Sequence, residues 1–295
     1  MAAPNAQATP SWLAHIDEMA SEIVPMTVPV ELDTLAIIKK MLLAPADDNG
    51  AVDRAVQEVR AYYRTKASSS EASGGVRDYP AKLVMSVIGA VVDHVFELSK
   101  VVDRREPAHQ RLADLLIRLK QSGATTEFDA ENPQLGWESE NLDWHAAEIW
   151  RTFTPDHTSP AEECTSALNT HSLLARLVAG DLFPSDGGWR TAKCISEGLQ
   201  HPPGQEFAID TPLVRACRAA IAAQYVLVAG DVLVRELQSK PGAQSEAALR
   251  RGEWGFWAER LKMLAAGEGG GDGIEEWDLK GSAAQAAKKV DGWLN

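Results

Sequence analysis

Seven histidines and three cysteines carry most of the acid–base and nucleophilic potential of this chain, and their settings differ. His171 falls on one helical stripe with Cys164, Leu168, Ala175 and Val178 when successive residues advance by about 100°. An imidazole on such an apolar face titrates near neutral pH. It either lines a pocket as a catalytic general base or sits in the core with a hydrogen-bond partner. His94, beside Asp93 in a long apolar run, is open to the same two readings. His145 stands next to Asp143 and Trp144, with Glu148 three residues on. That group is either an acid–base or cation-holding site, with Trp144 as a ligand contact, or a helix with polar and aromatic flanks. Gln224, Asp231 and Arg235 share a stripe on an otherwise apolar helix, and Asp231 and Arg235 have the spacing of an intrahelical ion pair. These three either line a ligand-binding pocket or form the one solvent-facing strip.

Other chemistries find less support in the spacing. Cys164 and His171 lie two turns apart, about 10 Å by helical rise, so they do not meet within one helix. Cys194 follows Lys193, and all three thiols suit small-residue packing. Glu106-Pro107-Ala108-His109 matches Glu-x-x-His, but a di-iron bundle needs a second such pair. Pro107 makes a helix-capping role for Glu106 the stronger reading. Asp47, Asp48 and Asp53 look like the aspartate-rich magnesium motif of terpene cyclases. They lie beside Pro45 and Gly50, however, where a turn and a helix start account for them. The glycine-rich residues 267–273 lack the Lys-Ser/Thr ending of a phosphate loop, and no Gly-x-Ser-x-Gly elbow occurs. No cofactor and no metal site is expected.

Charge narrows the partners. The net charge of −13 works against nucleic acid and anionic membrane surfaces, whose binding begins with Lys and Arg. Between residues 131 and 170 eight acidic residues face the single base Arg151. This excess either keeps a surface solvated or attracts a basic partner. The longest apolar run, at residues 83–92, is broken by Ser86 and Gly89 and falls short of a membrane span. The first residues lack the basic start and apolar core of a signal peptide. Three scattered cysteines suit neither a disulfide framework nor zinc. The expectation is a soluble, acidic, cytoplasmic protein.

The elements that must position these residues are helices. Apolar spacing predicts helices at residues 31–43, 49–66, 80–104 and 107–122, with a flexible loop over the serines and glycines of 68–75. Ser159-Pro160-Ala161-Glu162 has the form of a capping box and proline start, and Gly180 is the expected stop. Further helices are predicted at 211–238, 252–266 and 282–294. The fold expectation is all-α, a compact multi-helix bundle of about ten helices. Residues 1–75 should form amino-terminal helices and a linker packed on a main domain of residues 76–295.

The nine tryptophans cluster in two settings. Leu135-Gly136-Trp137-Glu138 leads into Trp144 and Trp150, and Trp254-Gly255-Phe256-Trp257 opens a helix that carries Arg260 and Leu261. Between them stand Asn169 and Leu174-Ala175-Arg176-Leu177. In order and spacing these segments resemble a family of filamentous fungi catalogued as domain of unknown function 3632, over roughly residues 80–266. Leu261 replaces the family's usual aromatic residue. The resemblance implies a fungal helical protein and supplies no catalytic residues. The functional expectation is an intracellular small-molecule-binding protein or cofactor-independent enzyme of fungal specialised metabolism. The alternative is a non-catalytic scaffold or regulatory protein that engages a protein partner through its acidic surface.

Overall fold

A computed structural model describes residues 10–23, 29–72, 79–122, 155–183, 187–199, 210–239, 251–268 and 275–294. Among the described residues there are ten α-helices, two 3-10 turns and no strand, so the fold is an all-α multi-helix bundle. The helices group into two compact units, Met1–Glu138 and Ser139–Asn295. The boundary expected at residue 75 lies inside the first unit.

The first unit holds α1 (Ser11–Glu22), α2 (Pro29–Leu42), α3 (Ala51–Ala72), α4 (Tyr79–Val101) and α5 (Pro107–Gln121). α4 packs on α1, α2, α3 and α5, and α3 also packs on α2 and α5. Val91, Val92, Val95 and Leu98 of α4 are fully buried. Each such side chain contributes about 1.5–3 kcal/mol on leaving water, which is how an apolar run of this kind becomes a central helix. Arg111 of α5 is buried and donates to the carbonyls of Met41, Ala44 and Pro45, satisfying the open end of α2.

Two expectations change in this unit, and the turn expected at the aspartates holds. The serines at 68–70, predicted as loop, continue α3 as far as Ala72. Serine costs only a few tenths of a kcal/mol against better helix formers, less than each added backbone hydrogen bond can offset. Glu106 stands at the N-cap of α5 without a side-chain capping bond; its carboxylate instead accepts the indole N–H of Trp12 at 3.1 Å. Asp48 accepts the Gly50 amide and pairs with Arg54, while Asp53 pairs with Arg118. The aspartates near Pro45 therefore build a turn and bind cations of the protein itself.

The second unit holds α6 (Ala161–Ala179), α7 (Gly187–Leu199), α8 (Pro212–Ser239), α9 (Trp254–Ala265) and α10 (Leu279–Leu294). α8 is its axis and packs on α6, α7 and α10; α9 packs on α10 and α7. Over Pro212–Glu236 α8 has a mean hydropathy of 1.5, long and apolar enough to cross a membrane by length and composition alone. Most of it is buried against its neighbours, the situation of a core helix. The most spanning-like run is thus this one and not residues 83–92.

Helix ends in this unit have identifiable causes. Thr211 accepts the Val214 amide at the start of α8. α6 begins where the proline signal places it, but no side-chain cap is made and Ser159 is buried. Its end is a pair of 6→1 and 5→2 bonds, Leu182 N to Leu177 O and Asp181 N to Val178 O. Gly180 is the C-cap, as expected of the stop, and the left-handed residue that follows it is Asp181, at φ 61°. α9 closes by the same motif, with Gly267 at φ 83°.

α7 was hidden in the sequence because it opens with Gly187 and Gly188, a turn signal. The Glu236 carboxylate of α8 occupies the place where a Cβ on Gly188 would stand, so a side chain there would displace that carboxylate. Further along, Gly198 lets α7 approach the backbone carbonyl of Arg218 in α8.

Candidate functional site

His171 lies in the middle of α6 and is 3% exposed. Its Nδ1 shares a hydrogen bond of 3.3 Å with the Tyr225 hydroxyl of α8, and the two rings meet edge to face at 5.9 Å. Burial pushes the imidazole down to about 4, so it is neutral at pH 7. Cys164, Leu168, Ala175 and Val178 are all buried, as the stripe predicted. Leu173, Leu174 and Leu177 are buried too, so α6 is enclosed on nearly every side. Of the two readings of His171, the geometry displays the hydrogen-bonded core imidazole. His94 is similar: it is 6% exposed, its Nε2 lies 2.9 Å from the Glu31 carbonyl, and burial lowers its pKa.

The polar stripe of α8 is distributed differently from a pocket lining. Gln224 is half-buried, whereas Asp231 and Arg235 are exposed. Asp231 pairs with Lys289 of α10 at 3.0 Å, and the same ammonium donates to the Leu227 carbonyl. The stripe is therefore the solvent-facing edge of α8, tied to α10. His145 and Trp144 lie outside the described residues.

An arrangement that helical spacing does not reveal appears at the amino-terminal end of α8. Residues 155–160, which enter α6, run beside Asp210 and Thr211. Asp210 has a side chain only 6% exposed, and its carboxylate hydrogen-bonds to Nδ1 of His157, whose own side chain is 48% exposed. The other carboxylate oxygen faces the Arg218 guanidinium at 3.5 Å. Arg218 also donates to the Pro155 carbonyl at 3.1 Å, and Thr211 N donates to the His157 carbonyl at 2.9 Å. Arg215 donates to the Asp210 carbonyl at 2.7 Å.

A sheltered carboxylate thus orients an accessible imidazole, and two backbone contacts hold the short segment in place. Chemically, a carboxylate on Nδ1 fixes the tautomer and leaves Nε2 to accept or deliver a proton. His157 is separated from Asp210 by 53 residues, so no local pattern announces the pair. The only sequence hint is its position two residues before the Ser-Pro helix start.

Buried polar groups of α7 and α9 complete the picture. Ser196 of α7 donates to Glu253 at 3.0 Å, just before α9. The hydroxyl of Thr191 and the indole N–H of Trp257, both on fully buried residues, have no hydrogen-bond partner among the described residues. Trp254 packs against Trp293 with ring centres 5.2 Å apart, and Trp277 donates to Thr165 at 3.1 Å. The tryptophans described in this part of the second unit are largely core.

Residues 93–261 match the family model described as "Protein of unknown function (DUF3632)", more than half of the chain, and the protein belongs to that family. The matched stretch includes His157, His171, Asp210 and Tyr225 and excludes α1, α2, α3 and α10. Searches of curated proteins and of solved structures give no significant match.

Proposed function

We propose that this member of the DUF3632 family is a small-molecule-binding protein that works as a cofactor-independent enzyme, with His157 as its proton-transfer group and Asp210 as its positioning residue. The observation that supports this is the contact of the half-exposed imidazole with the sheltered carboxylate. In this reading Nε2 of His157 takes a proton from a bound substrate. The Asp210 carboxylate stabilises the resulting imidazolium, and the proton returns to product or water. Such a group contributes on the order of 10²–10⁴-fold in rate. Its proposed setting is the cytoplasm of a filamentous fungus, in specialised metabolism.

Carbethoxylation with diethyl pyrocarbonate, mapped by mass spectrometry, tests the reading. His157 should react ahead of the buried His171, and a small-molecule fraction of the native extract should slow reaction at His157 selectively. A His157 that no fraction protects would sink the proposal.

A second reading, a scaffold that binds a protein partner, is favoured by one surface feature. Trp189 of α7 is 38% exposed, and Arg190 and Lys193 lie 5.9 and 5.5 Å from its ring centre. Aromatic and cationic groups together are the composition of binding hot spots. The face suits an acidic partner segment. If Lys193→Glu abolished a complex recovered from the native extract while His157 protection failed, this second reading would replace the first.

A further inference from the structure

Cys164 and Cys217 come from different helices and meet inside the second unit. Cys164 stands in the first turns of α6, and Cys217 follows the start of α8. Both are free thiols with no exposed surface. The Cys217 thiol donates to the Cys164 carbonyl at 3.2 Å, while the Cys164 sulfur lies 3.7 Å from the Ser159 carbonyl. The third cysteine, Cys194, is on α7 and is also buried.

We infer that Cys164 and Cys217 form a redox pair that closes to a disulfide when the protein meets a hydroperoxide such as hydrogen peroxide. The geometry supplies the first requirement, two cysteines on separate packed helices, with the sulfur of Cys217 seated directly on the backbone of Cys164. A disulfide needs Cα atoms within about 4.4–6.8 Å. The 3.2 Å contact of the Cys217 sulfur with the Cys164 carbonyl sets the two residues side by side where α6 and α8 pack. The cover over the pair supplies the second requirement. Residues 155–160 form a short non-helical segment in which Asp156, His157 and Thr158 are exposed. It is held by the Arg218–Pro155 and Thr211–His157 contacts, so a small oxidant needs only a local opening rather than global unfolding.

The electrostatics differ between the two sulfurs. A side-chain hydrogen bond between the two thiols holds Cys164 below its ordinary range, and the same bond with burial pushes Cys217 well up. Cys164 lies against Ser159 of the segment that opens, so it is the attacking thiol, and Cys217 behind it is the resolving thiol. In the first step the Cys164 sulfur bonds to one peroxide oxygen and the O–O bond breaks. This leaves a sulfenic acid, and the departing hydroxide takes the thiol proton to become water. In the second, the Cys217 sulfur bonds to Cys164 and the S–O bond breaks. The released hydroxide takes the Cys217 proton as a second water. Two thiols are oxidised and one hydrogen peroxide is reduced.

The test is intact-mass and non-reducing peptide mapping of the reduced full-length protein after hydrogen peroxide treatment. The expected result is a monomer lighter by two hydrogens, with Cys164 and Cys217 peptides joined, Cys194 still alkylatable, and full reversal by dithiothreitol. The same link should persist in Cys194→Ser and vanish in Cys217→Ser, where Cys164 stops at the sulfenic acid. The inference is overturned if Cys194 oxidises while Cys164 and Cys217 remain thiols. It is also overturned if every disulfide formed is intermolecular. The wild-type measurement decides without any variant, and it is independent of whether His157 transfers protons.

Discussion

The Nδ1 atom of His157 and the carboxylate of Asp210 share a hydrogen bond across 53 residues of chain, joining the segment before α6 to the residues that open α8. The carboxylate is sheltered and the imidazole is half exposed. A surface pair with both partners in water would be worth at most about 1 kcal/mol. Here only one partner is wet, and the carboxylate also faces Arg218. Asp210→Asn therefore should free His157 and loosen residues 155–160. Faster amide hydrogen exchange in that segment, with α9 and α10 unchanged, is the expected reading. Uniform exchange throughout the second unit, matching wild type, would show that the contact holds nothing.

His171 makes the stability of the second unit pH-dependent. Its pKa when folded is about 4, below the unfolded value of 6.5, so protons favour the unfolded chain between these limits. Stability is complete above pH 6.5 and falls as pH drops toward 4, by roughly 3 kcal/mol in all. His171→Gln should lower the melting temperature at pH 7, because the Tyr225 contact is disturbed, while flattening the decline between pH 6.5 and 4. Denaturant titrations at several pH values measure both effects. An unchanged pH slope in the variant would remove His171 as its source.

Trp257 is fully buried, and its indole N–H has no hydrogen-bond partner among the described residues. Trp257→Ala should cost about 3–5 kcal/mol through the cavity it leaves. Trp257→Phe removes that donor together with part of the ring, so its cost should be clearly smaller. Trp254→Ala should resemble Trp257→Ala, since that ring is 3% exposed and packs on Trp293. Urea unfolding of the three variants orders them, and equal costs for Phe and Ala at position 257 would contradict the packing argument.

Gly198 sets propensity against sterics. Alanine in a helix interior is favoured over glycine by about 1 kcal/mol. A Cβ at Gly198 would collide with the Arg218 carbonyl and stand 2.6 Å from the Ala222 side chain, so α7 and α8 would have to separate. Overpacking of this kind costs about 1–3 kcal/mol, and the steric effect should win. Gly198→Ala is expected to lower stability in thermal unfolding; a gain would mean that the two helices yield easily.

Asp181 offers the opposite sign. Its φ of 61° at the end of α6 is a left-handed conformation that glycine adopts without strain. Asp181→Gly keeps both closing hydrogen bonds and should stabilise the protein by about 0.5–1 kcal/mol. A higher denaturation midpoint with an unchanged slope is the measurement to expect.

The sequence by itself determined the helical class and most helix starts. Proline fixes φ and lacks an N–H that the first turn leaves unbonded, so Pro107 and Pro212 mark the true starts of α5 and α8. Apolar spacing likewise identified the buried stripe of α6, because periodicity and burial are the same fact seen along one axis. Tertiary structure decided what one axis cannot hold. It placed α7 behind a glycine pair by seating Glu236 against Gly188, and it gave Asp231 to Lys289 of α10 rather than leaving it to its own helix. It also made His171 a buried neutral partner of Tyr225 and joined His157 to Asp210. Desolvation and hydrogen bonding between distant segments depend on which helices meet, and residue spacing within a single helix carries no record of that.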